Sequence, residues 1–151
     1  MKSNECKKLI NVDHLIITAK DYLEKQEYSK SEYLTQIILM NSFLELSKQI
    51  KCFHIQLMIY CNTANHSKFN MLLGNVLKLV NGGNLKSACK ESIKLVVKML
   101  CIAADFLNKN LFFSIYLFFT ANKIFNKNQV DDYICLQYIE NKYLELMKQV
   151  N

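Results

Sequence analysis

Three histidines and six cysteines are the side chains of this sequence best suited to metal binding or nucleophilic catalysis. His14, His54 and His66 each lack a second histidine, cysteine or acid at metal-ligand spacing in the same predicted helix. Cys52 and His54 lie two positions apart, which directs them to different faces of a helix. We therefore expect no metal site and no cofactor.

The motifs that usually mark an enzyme are missing as well. The chain contains no GxSxG sequence, no glycine-rich phosphate-binding loop and no pair of acids in an apolar setting. Asp131 and Asp132 stand at the start of a predicted helix, where negative charge complements the helix dipole. We predict no catalytic residue and a protein that is not an enzyme. A cysteine–histidine dyad assembled by the fold is the alternative.

The cysteines indicate a reducing compartment. They are Cys6, Cys52, Cys61, Cys89, Cys101 and Cys135. They form no CxxC pair, and the N-terminal sequence MKSNECKKLINVDHL is polar and charged, unlike a signal peptide. Free thiols in such a chain behave as small apolar side chains of a cytosolic core. We expect a cytoplasmic protein.

Lysine supplies all nineteen basic residues, which together with thirteen acids give a net charge of +6. Because arginine is absent, the chain has none of the bidentate donors that read guanine or clamp phosphate. The lysines are scattered and form no basic run. We expect no nucleic-acid partner, and membrane association that is at most peripheral.

Three glycines and no proline predict an all-α protein of about six to seven helices. Apolar spacing predicts helices at 11–25 and 29–51, two more within 52–80, and three beyond residue 84. Gly82, in the sequence NGGN, is predicted as the left-handed residue that ends a helix. We divide the chain there into two three-helix modules, 1–81 and 82–151, although no short exact repeat is visible.

The sequence FLNKNLFFSIYLFFTANKIF, residues 106–125, is the most aromatic part of the chain. Its uncharged run between Lys109 and Lys123 is shorter than the about 20 apolar residues that a membrane-spanning helix needs. Adjacent phenylalanines break the alternation of a strand. We predict a helix that is apolar on every side, and therefore central in a bundle or partly covered by a partner.

Four segments, taken in order, carry a resemblance to a known family. They are HLIITAKDYLEKQEYSKSEYLTQIILMNSFLEL, SKFNMLLGNVLKL, KMLCIAAD and FFTANKIF. Their order and spacing, from about residue 12 to 148, resemble the N-terminal region of the LYST-interacting protein (Vta-type) family. Members of this family are cofactors of the AAA ATPase that disassembles ESCRT-III. In them the region holds two tandem microtubule-interacting-and-transport (MIT) three-helix modules and an extra helix.

The resemblance implies a non-enzymatic adaptor of endosomal sorting, recruited to multivesicular-body membranes, that binds C-terminal helices of ESCRT-III subunits. The contact residues of the first module fall by position on Gly74 and Leu77, and most members carry a larger apolar residue in place of the glycine. The contact aromatic of the second module, usually tryptophan, falls on Tyr138. In the family this region is followed by a long linker and a C-terminal domain that grips the ATPase. The present sequence ends at Asn151, so it is either a reduced relative or one domain of a longer protein, and the resemblance implies at most an indirect contact with the ATPase.

The second hypothesis is a helical interaction scaffold with unrelated partners, such as a repeat-like or Bcl-2-like bundle. A Bcl-2-like protein would be expected to carry an Asn-Trp-Gly-Arg type of motif. The sequence NGGNLK at 81–86 lacks both the tryptophan and the arginine.

Overall fold

The structure, a computed structural model, describes residues 11–128 and 133–150. These residues form seven α-helices and one 3₁₀ turn, and none of them lies in a strand. The helices are α1 (Val12–Glu24), α2 (Tyr28–Leu39), α3 (Leu46–Asn62), α4 (His66–Asn81), α5 (Lys90–Phe106), α6 (Leu111–Lys127) and α7 (Tyr133–Val150), with the 3₁₀ turn at Asn84–Ser87. The prediction of an all-α fold with six to seven helices is confirmed.

The chain divides into two compact units, one ending at Asn65 and the other beginning at His66. In the first unit, α1, α2 and α3 each pack against the other two. The amide of Gln56 in α3 donates to the Thr35 hydroxyl of α2 at 3.1 Å, and both residues are buried. The Tyr60 hydroxyl of α3 donates to the Glu32 carboxylate of α2 at 2.6 Å. Polar ties as well as apolar burial therefore fix α3 against α2.

The single helix predicted over residues 29–51 was wrong, because the chain turns between α2 and α3. The Asn41 side chain accepts a hydrogen bond from the Phe43 amide at 3.0 Å, and the Asn41 carbonyl accepts one from the Leu44 amide at 3.2 Å. Asparagine makes such local bonds in competition with the helix. The apolar spacing continued through this turn and hid it.

In the second unit, α6 packs against both α5 and α7. The rings of His66 and Phe69, in the first turn of α4, lie 4.9 Å and 4.4 Å from the ring of Phe106 at the end of α5. These contacts join α4 to the second unit. The predicted modules end and begin at residues 81 and 82, later in the chain than this division by contacts, and the MIT-like modules themselves stay a prediction.

The two glycines after α4 have different tasks. Gly83, with φ of 76°, is the left-handed residue, so the prediction that placed this conformation at Gly82 was one position early. A Cβ atom at Gly82 would lie 2.8 Å from the Lys78 carbonyl oxygen, to which the Gly82 amide donates. Gly82 therefore permits a close approach of two backbone segments, and Gly83 permits the change of direction.

Two short patterns recur at corresponding places in the units. AKDYL at 19–23 in α1 matches AADFL at 103–107 at the end of α5, and SEYL at 31–34 in α2 matches SIYL at 114–117 in α6. The serine is the fourth residue of its helix in both cases. The α1–α2 and α5–α6 hairpins therefore share a pattern, which only the alignment of the helices makes visible.

The two serines of this pattern make similar hydrogen bonds, although the acceptor in the second unit lies one position further along the aligned pattern. Ser31 donates to the Ala19 carbonyl at 2.7 Å, and Ser114 donates to the Ala104 carbonyl at 2.7 Å. Both serine side chains are fully buried. Each hydroxyl thus joins the second helix of its hairpin to the backbone of the first, and the bond satisfies the hydrogen-bonding capacity of a buried hydroxyl.

Among the described residues, no helix has the length and apolar content needed to cross a membrane. Asp131 and Asp132, predicted to begin a helix, lie outside the part of the chain that the structure describes.

Candidate functional site

Helix α6, which forms from the aromatic segment, has a buried face and an exposed aromatic face. Its buried residues are Ser114, Leu117, Phe118, Thr120, Ala121, Ile124 and Phe125. On the other side, Phe112, Tyr116 and Phe119 are 73%, 42% and 53% exposed. Their spacing of i, i+4 and i+7 places them in one row along the helix, which we call the aromatic stripe. The helix is thus central in its unit and also presents apolar surface to solvent.

A groove of about 430 Å³ follows the C-terminal half of the aromatic stripe. One wall is formed by Tyr116, Phe119 and Ile124 of α6. The opposite wall is formed by Val80 at the end of α4 and Leu85 of the 3₁₀ turn. A narrow site with aromatic and aliphatic walls suits the apolar face of another helix. We call it the α6 groove.

The first unit shows that folding does not require this aromatic stripe. When SEYL is aligned with SIYL, the stripe positions correspond to Ser29, Tyr33 and Gln36 of α2. These three residues are exposed, like their counterparts in α6. The same position of the same hairpin is therefore serine or glutamine in one unit and phenylalanine in the other. The hairpin pattern therefore does not require phenylalanine at the positions of Phe112 and Phe119, and apolar surface that folding does not require is typical of a binding site.

Gly74 and Leu77, two of the residues taken from the family resemblance, lie in α4 within the second unit. Gly74 is exposed, and a Cβ atom there would meet nothing within 4 Å. Leu77 is half-buried. Neither residue is among those that line the α6 groove, which begins further along α4 at Val80. Their assignment as contact residues stays a prediction.

Tyr138, the third residue, lies in α7 and is 40% exposed. Its hydroxyl donates to the Asp105 carboxylate of α5, and its ring lies edge-on to Phe118 of α6 with the centroids 6.4 Å apart. Partial burial and the neighbouring carboxylate hold the pKa of Tyr138 above its usual range. The Lys142 ammonium lies 5.8 Å from the exposed ring. Tyr138 therefore ties α7 to α5 and offers only part of its ring to a partner.

The furrow beside Tyr138 differs from the α6 groove in size and polarity. It encloses about 230 Å³ between α5 and α7. Its lining includes charged groups from Asp105, Lys142 and Glu145, with Phe118 and Leu146 as its large apolar residues. This furrow carries charges of both signs and is smaller than the α6 groove, so it offers less apolar wall to a partner helix. The family resemblance pointed to Tyr138, whereas the aromatic stripe was not predicted as a surface, although its i, i+4, i+7 spacing is present in the sequence.

The thiols that could act as nucleophiles are mostly protected. Burial raises the pKa of Cys52 and Cys61 to about 11 and that of Cys101 to about 12, so that these three are protonated near neutral pH. Cys89 is exposed, and the Ser92 hydroxyl at 3.2 Å lowers its pKa. Within the described residues, no group of three histidine, cysteine or acidic side chains is arranged to hold a metal ion.

Comparison with known proteins finds no match to this chain among protein-family models, curated proteins or solved structures. The resemblance to the LYST-interacting protein family therefore depends on the quoted segments alone, and the family's function enters below as a proposal.

Proposed function

We propose that this protein is a non-enzymatic adaptor that binds amphipathic helices from the C-terminal tails of ESCRT-III subunits. The observation that carries the proposal is the aromatic stripe of α6, whose counterparts in the first unit include serine and glutamine. Contiguous exposed apolar surface beside a groove is typical of a protein-interaction site. Phenylalanine and tyrosine are also enriched in the cores of protein interfaces relative to the rest of the surface.

The shape of the surface favours a helix as the bound segment. The stripe and the α6 groove run parallel to α6, so a partner helix can lie alongside it and insert side chains at i, i+3, i+4 and i+7. Apolar partner residues would then contact Phe112, Tyr116 and Phe119 on one side and Leu85 on the other. This arrangement needs no rearrangement of the buried face of α6.

The class of partner comes from the family resemblance. ESCRT-III subunits are the proteins whose tail helices the family binds, and the segments that carry the resemblance include FFTANKIF of α6 itself. The proposal places the protein at endosomal membranes through its partners.

The test measures binding of fluorescent ESCRT-III tail peptides by anisotropy. Phe112→Ser and Phe119→Gln replace two of the three stripe residues by their counterparts in the first unit, so each exposed position receives a residue that the hairpin pattern accepts; the counterpart of Tyr116 is also tyrosine. We expect the double variant to lose at least tenfold in affinity while its circular dichroism is unchanged. Ile17→Ser, at an exposed position of α1, is the matched control and should bind normally.

Two further variants test the residues taken from the resemblance. Leu77→Asp should weaken one ESCRT-III partner and Tyr138→Asp another, if each surface binds as it does in the family. Tyr138→Phe keeps the ring and removes the hydroxyl bond to Asp105. Comparing it with Tyr138→Asp shows whether a loss of binding comes from the missing ring surface or from the missing hydrogen bond between α7 and α5. Failure of the unmodified protein to bind any ESCRT-III tail peptide would refute the adaptor. Binding of amphipathic helices from other sources only would favour the scaffold with unrelated partners.

A further inference from the structure

We infer that the α6 groove selects an acidic amphipathic helix, in which glutamate or aspartate borders the apolar stripe. The inference rests on the proposed function, because it assumes that the groove binds a helix, and it adds which helices are chosen. Three lysines line the groove: Lys86 of the 3₁₀ turn, and Lys123 and Lys127 of α6. None of the described residues that line it is acidic.

Among the residues that the structure describes, the ion pairs of the fold do not include the lysines of the groove. No ion pair within the described part of the chain involves them, whereas Lys25, Lys48 and Lys94 each lie within 4.0 Å of a carboxylate. Lys127 stands in the last turn of α6, where it also complements the helix dipole. That explanation does not extend to Lys123, one turn earlier, or to Lys86 on a separate element. Positive charge thus gathers on both walls of the groove without an internal partner.

The positions of the lysines say where the acidic residues of the partner lie. The aromatic stripe occupies the first part of α6, and Lys123 and Lys127 continue the same side of the helix toward its end. From Phe112 to Lys127 the surface is about 22 Å long at 1.5 Å per residue, which corresponds to a partner helix of about four turns. One end of that helix would be apolar where it meets the stripe, and the other would carry acids that face both walls.

An anionic membrane is the other surface that lysine and exposed aromatic side chains can bind. The geometry favours a helix, because lysines and apolar residues stand on two walls of a groove. A concave site of this kind can receive the side chains of a helix, whereas a membrane presents a broad, flat surface. A second copy of this chain is a further possible occupant. The experiment separates these cases.

The experiment uses the full chain and a designed peptide of about 16 residues, with leucine at i, i+3, i+4 and i+7 and glutamate at the bordering positions. A second peptide carries lysine in place of each glutamate, and a third has the composition of the first with its leucine spacing scrambled. Binding is measured by anisotropy at low and high salt. The protein variants are Lys123→Glu in the groove and Lys98→Glu as control, which reverses the charge of an exposed lysine of α5 outside it.

We expect the glutamate peptide to bind at least tenfold more tightly than the lysine peptide, and the preference to shrink as salt rises. Lys123→Glu should weaken the glutamate peptide about three- to tenfold and strengthen the lysine peptide, while Lys98→Glu changes neither. Equal binding of the glutamate and lysine peptides, or equal effects of the two variants, overturns the selection of acidic helices and leaves helix capture standing. Absence of binding by every leucine-striped peptide and every ESCRT-III tail removes both proposals.

The other occupants have their own readouts. For a membrane, the protein would sediment with vesicles of phosphatidylcholine and phosphatidylserine, Lys123→Glu would abolish this, and no peptide would bind. That result would assign the surface to a membrane and overturn the inference. A dimer in sedimentation velocity that Phe119→Gln dissociates assigns it to a second copy, with the same consequence. A monomer that binds the glutamate peptide and not the vesicles supports the acidic helix.

Discussion

Replacing Ser114 by alanine should destabilise the protein more than the equivalent replacement of Ser31. Ser114 donates to two carbonyls, that of Ala104 at 2.7 Å and that of Leu107 at 2.9 Å. The Leu107 carbonyl keeps a second donor, the Asn110 amide at 2.9 Å. The Ala104 carbonyl lies in the last turn of α5, where helical partners run out, and among the described residues it has no other donor. The variant therefore leaves one buried carbonyl unsatisfied.

The Ser31 bond differs because its acceptor is already used. Ala19 lies inside α1, where the ordinary helical bond also reaches its carbonyl. An unsatisfied buried group costs about 1–3 kcal/mol, whereas loss of an additional bond costs about 0.5–1.5 kcal/mol. Alanine recovers up to about 0.5 kcal/mol in both helices through its higher helix propensity. The two variants should thus differ by about 1 kcal/mol in the free energy of unfolding, with Ser114→Ala the less stable.

Hydrogen exchange followed by mass spectrometry measures the difference in the helices where it arises, because it reports local opening segment by segment. Ser114→Ala should raise exchange in α5 and α6, and Ser31→Ala should raise it less, in α1 and α2. In thermal melts, about 1 kcal/mol corresponds to about 4–8 °C for a cooperative unit of 60–100 residues. Ser42→Ala, at an exposed serine between α2 and α3, is the control. Equal destabilisation by both variants, or a larger effect of Ser31→Ala, would refute the reasoning.

Two further predictions concern single positions. Gly74→Ala should stabilise the protein by about 0.5–1 kcal/mol, because Gly74 lies inside α4 with open space at its Cβ position. Gly83→Ala should destabilise the protein, because the φ of Gly83 is 76°. Urea denaturation of the two variants measures both changes in the free energy of unfolding. Of the cysteines that the structure describes, Cys89 should react fastest with iodoacetamide near neutral pH, well before Cys101, whose pKa burial raises to about 12. Ser92→Ala should slow the labelling of Cys89, as mass spectrometry of tryptic peptides would show, and an unchanged rate would contradict the role of the hydroxyl.

The sequence predicted the class of fold because composition and apolar spacing act through short-range physics. Without proline and with three glycines, little interrupts helices, and the turn between α3 and α4 was predicted from the polar residues at 62–67. The turn after α2 was missed because Met40, Phe43 and Leu44 continue the apolar spacing through it. Only the bonds made by Asn41 show that the backbone leaves the helix there. The spacing of apolar residues gives little indication of where a side chain such as Asn41 will bond to the backbone and end a helix.

The surface could be predicted only in part. Apolar residues around all of α6 predicted that it would be central or covered by a partner, but spacing alone could not say which phenylalanines face the core. That assignment depends on the packing of α5 and α7 against it. The grouping of lysines around the α6 groove could not be predicted from the sequence either, because tertiary contacts bring Lys86 and Lys123 together. Their separation in sequence carries no sign of a shared wall.

Each unit contains a tyrosine whose hydrogen bond holds two helices together, a structural role that differs from the binding role proposed for the aromatic stripe. Tyr60 in the first unit and Tyr138 in the second each donate a hydroxyl bond to a carboxylate on a neighbouring helix, Glu32 and Asp105 respectively. Tyr60 is almost completely buried, so its role is to hold helices together, and the same bond gives Tyr138 that role as well. Phe119 makes no such tie, and its counterpart Gln36 is polar. If the proposed partner binds the second unit and not the first, its selectivity must come from positions at which the two units differ, and Phe112 and Phe119, which correspond to Ser29 and Gln36, are such positions.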